Sequence, residues 1–184
     1  NRIINGKVER NDENDIQALN IEAENVILCN GYLIRSLMPD TNSFFQPTKG
    51  EVLTLRCEDL PENVILHKKI FILPLGDKLF KVGSTYSWKA LDENFSEEAK
   101  QELLDSFESM YSGSYEVVNH EAGIRPNIKD RKPVLGKYRD TYIFNGLGSR
   151  GALMAPYLSN IMLDFILENM PIPNKWDIHR FISV

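Results

Sequence analysis

The chain has 184 residues, enough for about one domain, and its 42% hydrophobic and 26% charged residues are typical of a folded globular protein. Its net charge of −5 argues against a nucleic-acid-binding surface. Two cysteines exclude a disulfide framework, and no apolar run is long enough to cross a bilayer, so we expect a cytoplasmic chain with no membrane segment.

The first elements predict a ligand-binding corner. A charged turn over 9–15 leads to a strand over 16–21, and the apolar run 26–29 predicts a second strand buried on both faces, with Cys29 as a buried thiol. Gly31 and a predicted helix over 32–38 follow, an order common at ligand sites of α/β folds. Because the chain does not open with methionine, we expect a piece of a longer protein.

The middle of the chain predicts a hairpin and an amphipathic helix. Strands are expected over 45–55, 64–66, 70–74 and 79–85, with the last two paired as the hairpin. Ser96 is a suitable N-cap for a helix that runs to Tyr111 and ends before Gly113. Its apolar residues fall three or four apart and predict one stripe packed on a sheet: Phe95, Ala99, Leu103, Phe107 and Met110.

The last third predicts short strands and a second helix. The strands are expected over 115–122, 134–135 and 141–146. The helix, over 156–169, is apolar on nearly its whole circumference, which predicts burial all round. The tail 176–181 is expected to pack on the surface or on a neighbouring domain. These elements together indicate an α+β fold with a mixed, largely antiparallel sheet and two main helices.

A glycine-rich loop over 145–151 runs straight into the second helix. Glycine lets bare backbone N–H groups approach a ligand, and a helix N-terminus adds partial positive charge, so the loop predicts a site for an anion or for the electron-rich edge of a cofactor. The glycines at 146, 148 and 151 fit the spacing of a dinucleotide-binding fingerprint. We reject that interpretation, because the motif stands near the C-terminus and no acidic residue follows a second strand.

Several sequence blocks occur in an order that resembles a known family. They are Glu24–Gly31, Gln46–Glu51, the strands from Phe71 to Thr85, the Gly-x-Arg-Pro and Asp-x-x-Pro segment from Gly123 to Gly136, and the loop over 146–156. Together they resemble the C-terminal half of the D-amino-acid-oxidase-like flavoproteins, which include glycine oxidase, sarcosine oxidase and the oxidase half of a tRNA wobble-uridine modification enzyme. The sequence Gly148-Ser149-Arg150-Gly151 is most similar to the tRNA-modifying branch of the family.

The resemblance implies a division of the chain and FAD as the cofactor. Residues 1–31 would be a remnant of the FAD-binding domain, 32–122 the substrate-binding domain, and 123–184 a flavin-contacting segment with a helix that returns to the FAD domain. The N-terminal glycine turn that holds the FAD pyrophosphate in this family does not occur here. The main FAD-binding segment is therefore expected outside this chain, as a missing partner.

The resemblance also implies roles for individual residues. Arg125 would bind the carboxylate of the substrate, although a structural arginine after a turn, buried with a glutamate such as Glu121, is the alternative. Phe71 stands where amino-acid oxidases of the family often carry a tyrosine, so it is either a substrate neighbour without a hydrogen bond or a core residue. Contacts to the flavin are implied for Gly31, Gly136, Gly148, Ser149, Arg150, Gly151, Ala152 and Leu153.

Two of these expectations have alternatives or limits. Arg150 would contact the flavin, face the substrate or be a solvent-facing cap residue. The three histidines show no metal-ligand spacing, so no metal is expected. No side chain is expected to be catalytic, because in this chemistry the cofactor performs the oxidation and the protein orients the substrate.

The resulting expectation is part of an FAD-dependent oxidoreductase. It would oxidise the C–N bond of a small amino acid or secondary amine by hydride transfer to the flavin. One alternative is an oxidase of the tRNA wobble-uridine-modifying type, which the acidic net charge argues against. The other is an inert fragment or binding module, because the piece alone lacks half of the FAD site and is expected to be inactive.

Overall fold

The computed structural model describes residues 23–89 and 91–182. The expected turn over 9–15 and strand over 16–21 lie outside the described residues. The chain divides into two compact units: unit 1 combines the residues up to Gln46 with those from Pro126 onward, and unit 2 is Pro47–Arg125. The division expected from the sequence, after residues 31 and 122, concerns cofactor and substrate roles and stays a prediction. No helix in the described ranges is both long and apolar enough to cross a membrane.

The described elements confirm the α+β class. The strands are β1 (Ile27–Leu28), β2 (Thr48–Arg56), β3 (Leu66–His67), β4 (Phe71–Gly76), β5 (Leu79–Gly83), β6 (Glu116–Arg125), β7 (Val134–Tyr138) and β8 (Thr141–Asn145). The α-helices are α1 (Ile34–Leu37), α2 (Glu97–Glu108) and α3 (Gly151–Glu168). Short 3₁₀ turns precede α1 and α3, and another covers Ile178–Arg180.

Unit 2 is an antiparallel sheet in the order β3-β4-β5-β2-β6. The predicted hairpin is confirmed as β4 and β5, whose turn holds Asp77 and Lys78 at φ 52° and 60°. Two consecutive positive φ values give the type of turn that matches the right-handed twist of a hairpin. The central strand β2 pairs with β5 along one edge and with β6 along the other, so it joins the two halves of the sheet.

Helix α2 covers one face of this sheet. Its buried residues Leu103 and Phe107 pack on Leu53 and Leu55 of β2. The predicted N-cap is confirmed, because Ser96 Oγ accepts a hydrogen bond from the N–H of Ala99. The same core contains Cys57, and burial raises the pKa of its thiol to about 11. The helix therefore forms where the spacing of its apolar residues predicts.

The expected stripe of α2 is wrong at one end. The Phe95 side chain is 60% exposed, because it precedes the helix and packs on the ring of His120 rather than in the core. The first described turn of α2 begins only at Glu97. The predicted stripe extended beyond the N-cap Ser96. It therefore included Phe95, which precedes the helix.

Unit 1 contains a smaller sheet in the order β1-β8-β7. Strand β1 runs parallel to β8, and β8 runs antiparallel to β7. The predicted strand over 26–29 is confirmed only as two residues, and its burial on both faces is wrong: Ile27 is 40% exposed and Cys29 is exposed. Within the described ranges β1 pairs only with β8, and successive side chains over 26–29 alternate between half-buried and exposed positions.

Two further expectations for unit 1 are wrong. Helix α3 is not buried all round: Leu158 and Met162 are buried, whereas Leu153 and Tyr157 are 80% and 62% exposed. It lies against β7, and a helix that lies on one surface buries only one stripe. The tail is not a surface segment, because Ile178 is completely buried in the core.

Replacement of Leu103 by alanine should destabilise the protein by roughly 2–5 kcal/mol, because a completely buried side chain leaves a cavity beneath α2. The matched control is Glu102→Ala, whose side chain is exposed in the same helical turn and should change stability by less than about 0.5 kcal/mol. Chemical denaturation followed by circular dichroism measures both. Equal losses for the two variants would contradict the packing of α2 described above.

Candidate functional site

Arg125 lies at the end of β6, on the face of the unit 2 sheet that α2 does not cover. The ladder pairs Arg125 with Thr48 and Gly123 with Gly50, and alternate residues share a face. This surface, the Arg125 face, therefore carries both glycines and Arg125. The guanidinium lies directly over Gly50: a Cβ built there would be 2.0 Å from Nη2. Only a residue without a side chain allows the guanidinium to cross β2 at this point.

Two residues that follow β5, on the edge of β2 opposite to β6, hold the guanidinium in place. Arg125 Nη2 donates to Ser84 Oγ at 2.6 Å, and Nη1 donates to the carbonyl of Thr85 at 3.4 Å. The Tyr86 ring centroid lies 5.5 Å from Cζ. Burial lowers the pKa of the half-buried Arg125 and Tyr86 opposes the change, but an arginine remains a cation at neutral pH. The sequence predicts that this strand ends at residue 122. In the structure β6 continues to Arg125, and the longer strand positions the cation.

The alternative partner of Arg125 is wrong. Glu121 pairs with Lys81 of β5 and not with Arg125. Among the residues that the structure describes, no carboxylate lies within ion-pair distance of the guanidinium. A half-buried arginine held by neutral acceptors keeps donors for a planar anion such as a carboxylate.

Phe71 lies on the same face. The register aligns Phe71 of β4, Gly83 of β5 and Val52 of β2 in one row, two residues along β2 from Gly50. Its ring is partly buried and packs over Gly83, where an added Cβ would be 3.2 Å from Phe71 Cζ. The structure therefore brings Phe71 and Arg125 to one sheet face, where the ring supplies apolar surface and no hydrogen-bond donor.

Sequence reasoning missed a buried ionic cluster behind this face, at the start of α2. Glu51 is 3% exposed and accepts hydrogen bonds from Ser96 N (2.9 Å) and Ser96 Oγ (3.1 Å). His120 Nε2 lies 2.9 Å from Glu51 Oε2, but the direction of approach leaves this nitrogen without a hydrogen bond. A hydrogen bond between Lys49 and Asp92 raises the pKa of the lysine and lowers that of the aspartate. The cluster anchors α2 to β2.

In unit 1, the glycine-rich loop begins where two parallel strands end. Gly31 follows β1, and Gly146 and Gly148 follow β8, with φ values of 59°, 73° and 56°. The loop passes through a 3₁₀ turn over Gly148–Arg150 into α3, and no side chain caps that helix. The uncapped start offers backbone N–H groups and positive dipole to an electron-rich ligand. Leu153, in the first turn of α3, is 80% exposed.

Two other residues expected to contact the cofactor, Arg150 and Gly136, lie against other residues of unit 1. Arg150 is exposed, and its Nη2 donates to the carbonyl of Arg131 at 2.9 Å. Gly136 lies in the middle of β7 rather than in the loop, and a Cβ there would be 2.9 Å from Ile178 Cγ2. Ser149 and Ala152 are exposed beside the loop glycines. Residues Gly148 to Leu153 follow one another through the 3₁₀ turn into the first turn of α3, whereas Gly136 lies in β7 opposite Ile143 of β8.

Asn30 belongs to this site although its side chain was not singled out from the sequence. Its Nδ2 is buried without a hydrogen-bond partner, directly before Gly31. The only available signal was its position at the end of a strand and before a glycine. A buried donor, positive-φ glycines and an uncapped helix start form a set that fits the edge of an electron-rich cofactor. In the described part of the chain, no group of His, Cys, Asp or Glu could hold a metal ion.

Comparison with known proteins places the chain in a family. The family model for "FAD dependent oxidoreductase" matches residues 1–164, and the chain belongs to this family, which confirms the resemblance. The tRNA 5-methylaminomethyl-2-thiouridine biosynthesis bifunctional protein MnmC of Idiomarina loihiensis is 25% identical over 89% of the chain and 28% of its own length. Glycine oxidase of Bacillus subtilis is 29% identical over 76% of the chain and 39% of its own length.

Solved structures show the same fold. Iminodiacetate oxidase from Chelativorans matches with a TM-score of 0.74 and 18% identity, over 85% of this chain and 46% of that one. Glycine oxidase from Geobacillus kaustophilus matches with a TM-score of 0.73 and 22% identity, over 88% of this chain and 46% of that one. The chain thus spans less than half the length of these proteins. The family is FAD-dependent, and the glycines and donors of unit 1 fit that cofactor.

Gly50→Ala should destabilise the protein by about 0.5–1.5 kcal/mol relative to Gly123→Ala, because the new methyl group overlaps the guanidinium of Arg125, displaces it and breaks its hydrogen bond to Ser84. Gly123→Ala is the matched control: Gly123 pairs with Gly50 on the same face, and a Cβ there meets nothing within 4 Å. Denaturant unfolding measures both variants. A Gly50→Ala protein as stable as Gly123→Ala would contradict a stabilising contact between the guanidinium and Ser84 across β2.

Proposed function

We propose that the protein containing this chain oxidises the C–N bond of a small amino acid or secondary amine that carries a carboxylate. FAD, when bound, supplies the acceptor for the hydride. The observation that carries the proposal is Arg125, a half-buried cation held by neutral acceptors and without a carboxylate partner among the described residues. Such a group suits a substrate carboxylate better than it suits a structural role.

Arg125 would bind and orient the substrate. A guanidinium pairs with a carboxylate through two parallel hydrogen bonds, which fix both distance and plane. Ser84 and the Thr85 carbonyl restrain the arginine before substrate arrives, so less side-chain entropy is lost on binding. Orientation of the bond to be broken is a large part of what a protein contributes when its cofactor performs the chemistry.

Phe71 would form an apolar wall of the substrate site. Its ring lies on the Arg125 face and cannot donate to a carboxylate, so recognition of that group would fall on Arg125. An apolar wall also excludes water, which strengthens the interaction between guanidinium and carboxylate. This arrangement supports a substrate other than the simplest amino acids, in line with the absence of the tyrosine that related oxidases often carry.

The unit 1 loop would hold FAD. Gly31, Gly148, Ser149, Gly151, Ala152 and Leu153 lie at the ends of the parallel strands or at the uncapped start of α3. Backbone N–H groups there would donate to electron-rich atoms of the cofactor. Arg150 and Gly136 are proposed as weaker contacts, because each already has a structural neighbour in this chain.

Arg125→Met should raise the dissociation constant for a carboxylate-bearing amine by roughly 10- to 100-fold, because the charge-assisted hydrogen bonds are lost. The flavin absorbance spectrum should not change. Arg56→Met is the matched control, since Arg56 lies on the same sheet but is exposed and beside Glu116. The measurement is anaerobic flavin reduction in the complete protein as a function of the concentration of N-methylglycine or iminodiacetate, with glycine as the simplest amino acid for comparison. Unchanged saturation in Arg125→Met would contradict the assigned role.

A second candidate is an oxidase that acts on an amine attached to a wobble uridine. It is favoured by the alignment to a tRNA-modifying protein over 89% of the chain. An aromatic pair beside Arg125 also supports it: Tyr86 and Trp88 lie edge to face at 4.8 Å between ring centroids and are 52% and 64% exposed. Exposed aromatic rings are surfaces on which bases stack. The net charge of −5 argues against this candidate.

Trp88→Ala distinguishes the two candidates. With a small amino-acid substrate, we expect anaerobic reduction of the flavin in both the unchanged protein and Trp88→Ala, and no reduction on addition of unfractionated tRNA. If the second candidate were correct, tRNA would reduce the flavin, and Trp88→Ala would weaken tRNA binding by roughly 5- to 150-fold through loss of base stacking. Absorbance of the oxidised flavin measures both outcomes.

A further inference from the structure

Asn30 carries a buried hydrogen-bond donor for which the described part of the chain provides no acceptor. Its Nδ2 atom is shielded from solvent, and no acceptor within the described ranges bonds to it. Buried amides in native proteins are nearly always satisfied, because an unpaired donor has lost its water without gaining a replacement. The amide of Asn30 therefore indicates a partner that is not part of the described chain.

The orientation of this amide is fixed by its neighbour Asn145, which is 2% exposed. Asn145 Oδ1 accepts a hydrogen bond from Gly146 N at 2.7 Å, and Asn145 Nδ2 donates to the Gly31 carbonyl at 2.9 Å. The oxygen and nitrogen of Asn145 are thus assigned by backbone groups. The same Nδ2 also donates to Asn30 Oδ1 at 3.4 Å. A flip of Asn30 would set two donors against each other, so its own NH₂ group must point away from Asn145.

The amide also lies where ligands bind in α/β folds. Strands β1 and β8 are parallel neighbours, with Ile27 opposite Tyr142 and Leu28 opposite Ile143. Asn30 follows the end of β1, and Asn145 is the last residue of β8. The crevice outside the carboxyl ends of adjacent parallel strands is the usual ligand site of such sheets.

We propose that Asn30 Nδ2 donates a hydrogen bond to an acceptor oxygen of FAD, and that Asn145 is a positioning residue that orients it. This inference rests on the proposed function, since it assigns a further contact to the same cofactor. It adds a side-chain donor to a site otherwise made of backbone N–H groups. Asn30 thereby couples cofactor binding to the stability of unit 1, because the ligand satisfies a donor that the residues from 23 to 89 and from 91 to 182 leave unpaired.

The experiment compares Asn30→Leu and Asn30→Asp with the unchanged complete protein. Asn30→Leu replaces the amide by an apolar group of similar size, and Asn30→Asp keeps the oxygen that faces Asn145 but removes the donor. Asn25→Ala, at an exposed position in the same segment, is the matched control. Quenching of FAD fluorescence gives the dissociation constant, and the thermal midpoint is measured for each protein with and without FAD.

We expect both Asn30 variants to bind FAD roughly tenfold more weakly, the loss that one hydrogen bond accounts for, while Asn25→Ala binds normally. Without FAD, Asn30→Leu should melt at about the same temperature as the unchanged protein. It removes an unsatisfied donor together with the weak acceptor at 3.4 Å from Asn145 Nδ2, which keeps its hydrogen bond to the Gly31 carbonyl. Asn30 variants that bind FAD as tightly as the unchanged protein would overturn this inference and leave the proposed function standing. An unchanged complete protein that binds no FAD would overturn both.

Discussion

The candidate substrate site depends on Gly50, a position without a side chain within β2. Because Gly50 has no side chain, the guanidinium of Arg125 can cross β2 and reach Ser84 on the far side. The two ends of this bridge come from segments far apart in sequence, and the antiparallel ladders on both edges of β2 bring them together. The opposite face of the same strands is filled by α2, and Glu51 of β2 holds the start of that helix. One strand thus supports the core on one face and the cation on the other.

The FAD site that we propose in unit 1 differs from the Arg125 face, because the edge of a cofactor needs hydrogen-bond donors and close approach of the backbone rather than charge. Positive-φ glycines turn the chain directly after β1 and β8, and α3 begins without a side-chain cap. Arg150, the charged residue beside the loop, is tied to the carbonyl of Arg131. The main donors that we propose for the cofactor are therefore neutral groups, namely backbone N–H groups and the amide of Asn30. Neutral donors in fixed positions stabilise electron-rich atoms without the cost of burying an ion.

Local patterns predicted the local elements well. The β4–β5 hairpin and the Ser96 cap follow from turn chemistry and periodicity, and the structure confirms both. Burial was predicted less well, since the exposed faces of β1 and α3 depend on which neighbours cover them and not on their own composition. The partner of Arg125 was also out of reach, because the pairing of Glu121 with Lys81 is set by strand register. The roles of Phe71 and of the loop residues came from the resemblance and stay predictions.

The most direct test of the account is the visible absorption spectrum of the complete protein after addition of FAD, followed by anaerobic titration with small carboxylate-bearing amines. We expect a bound flavin band that bleaches with at least one such amine and does not bleach with an amine that lacks the carboxylate. A protein that binds no flavin, or one whose flavin is reduced equally well without the carboxylate, would contradict the central claim that Arg125 recognises the substrate of an FAD-dependent oxidation.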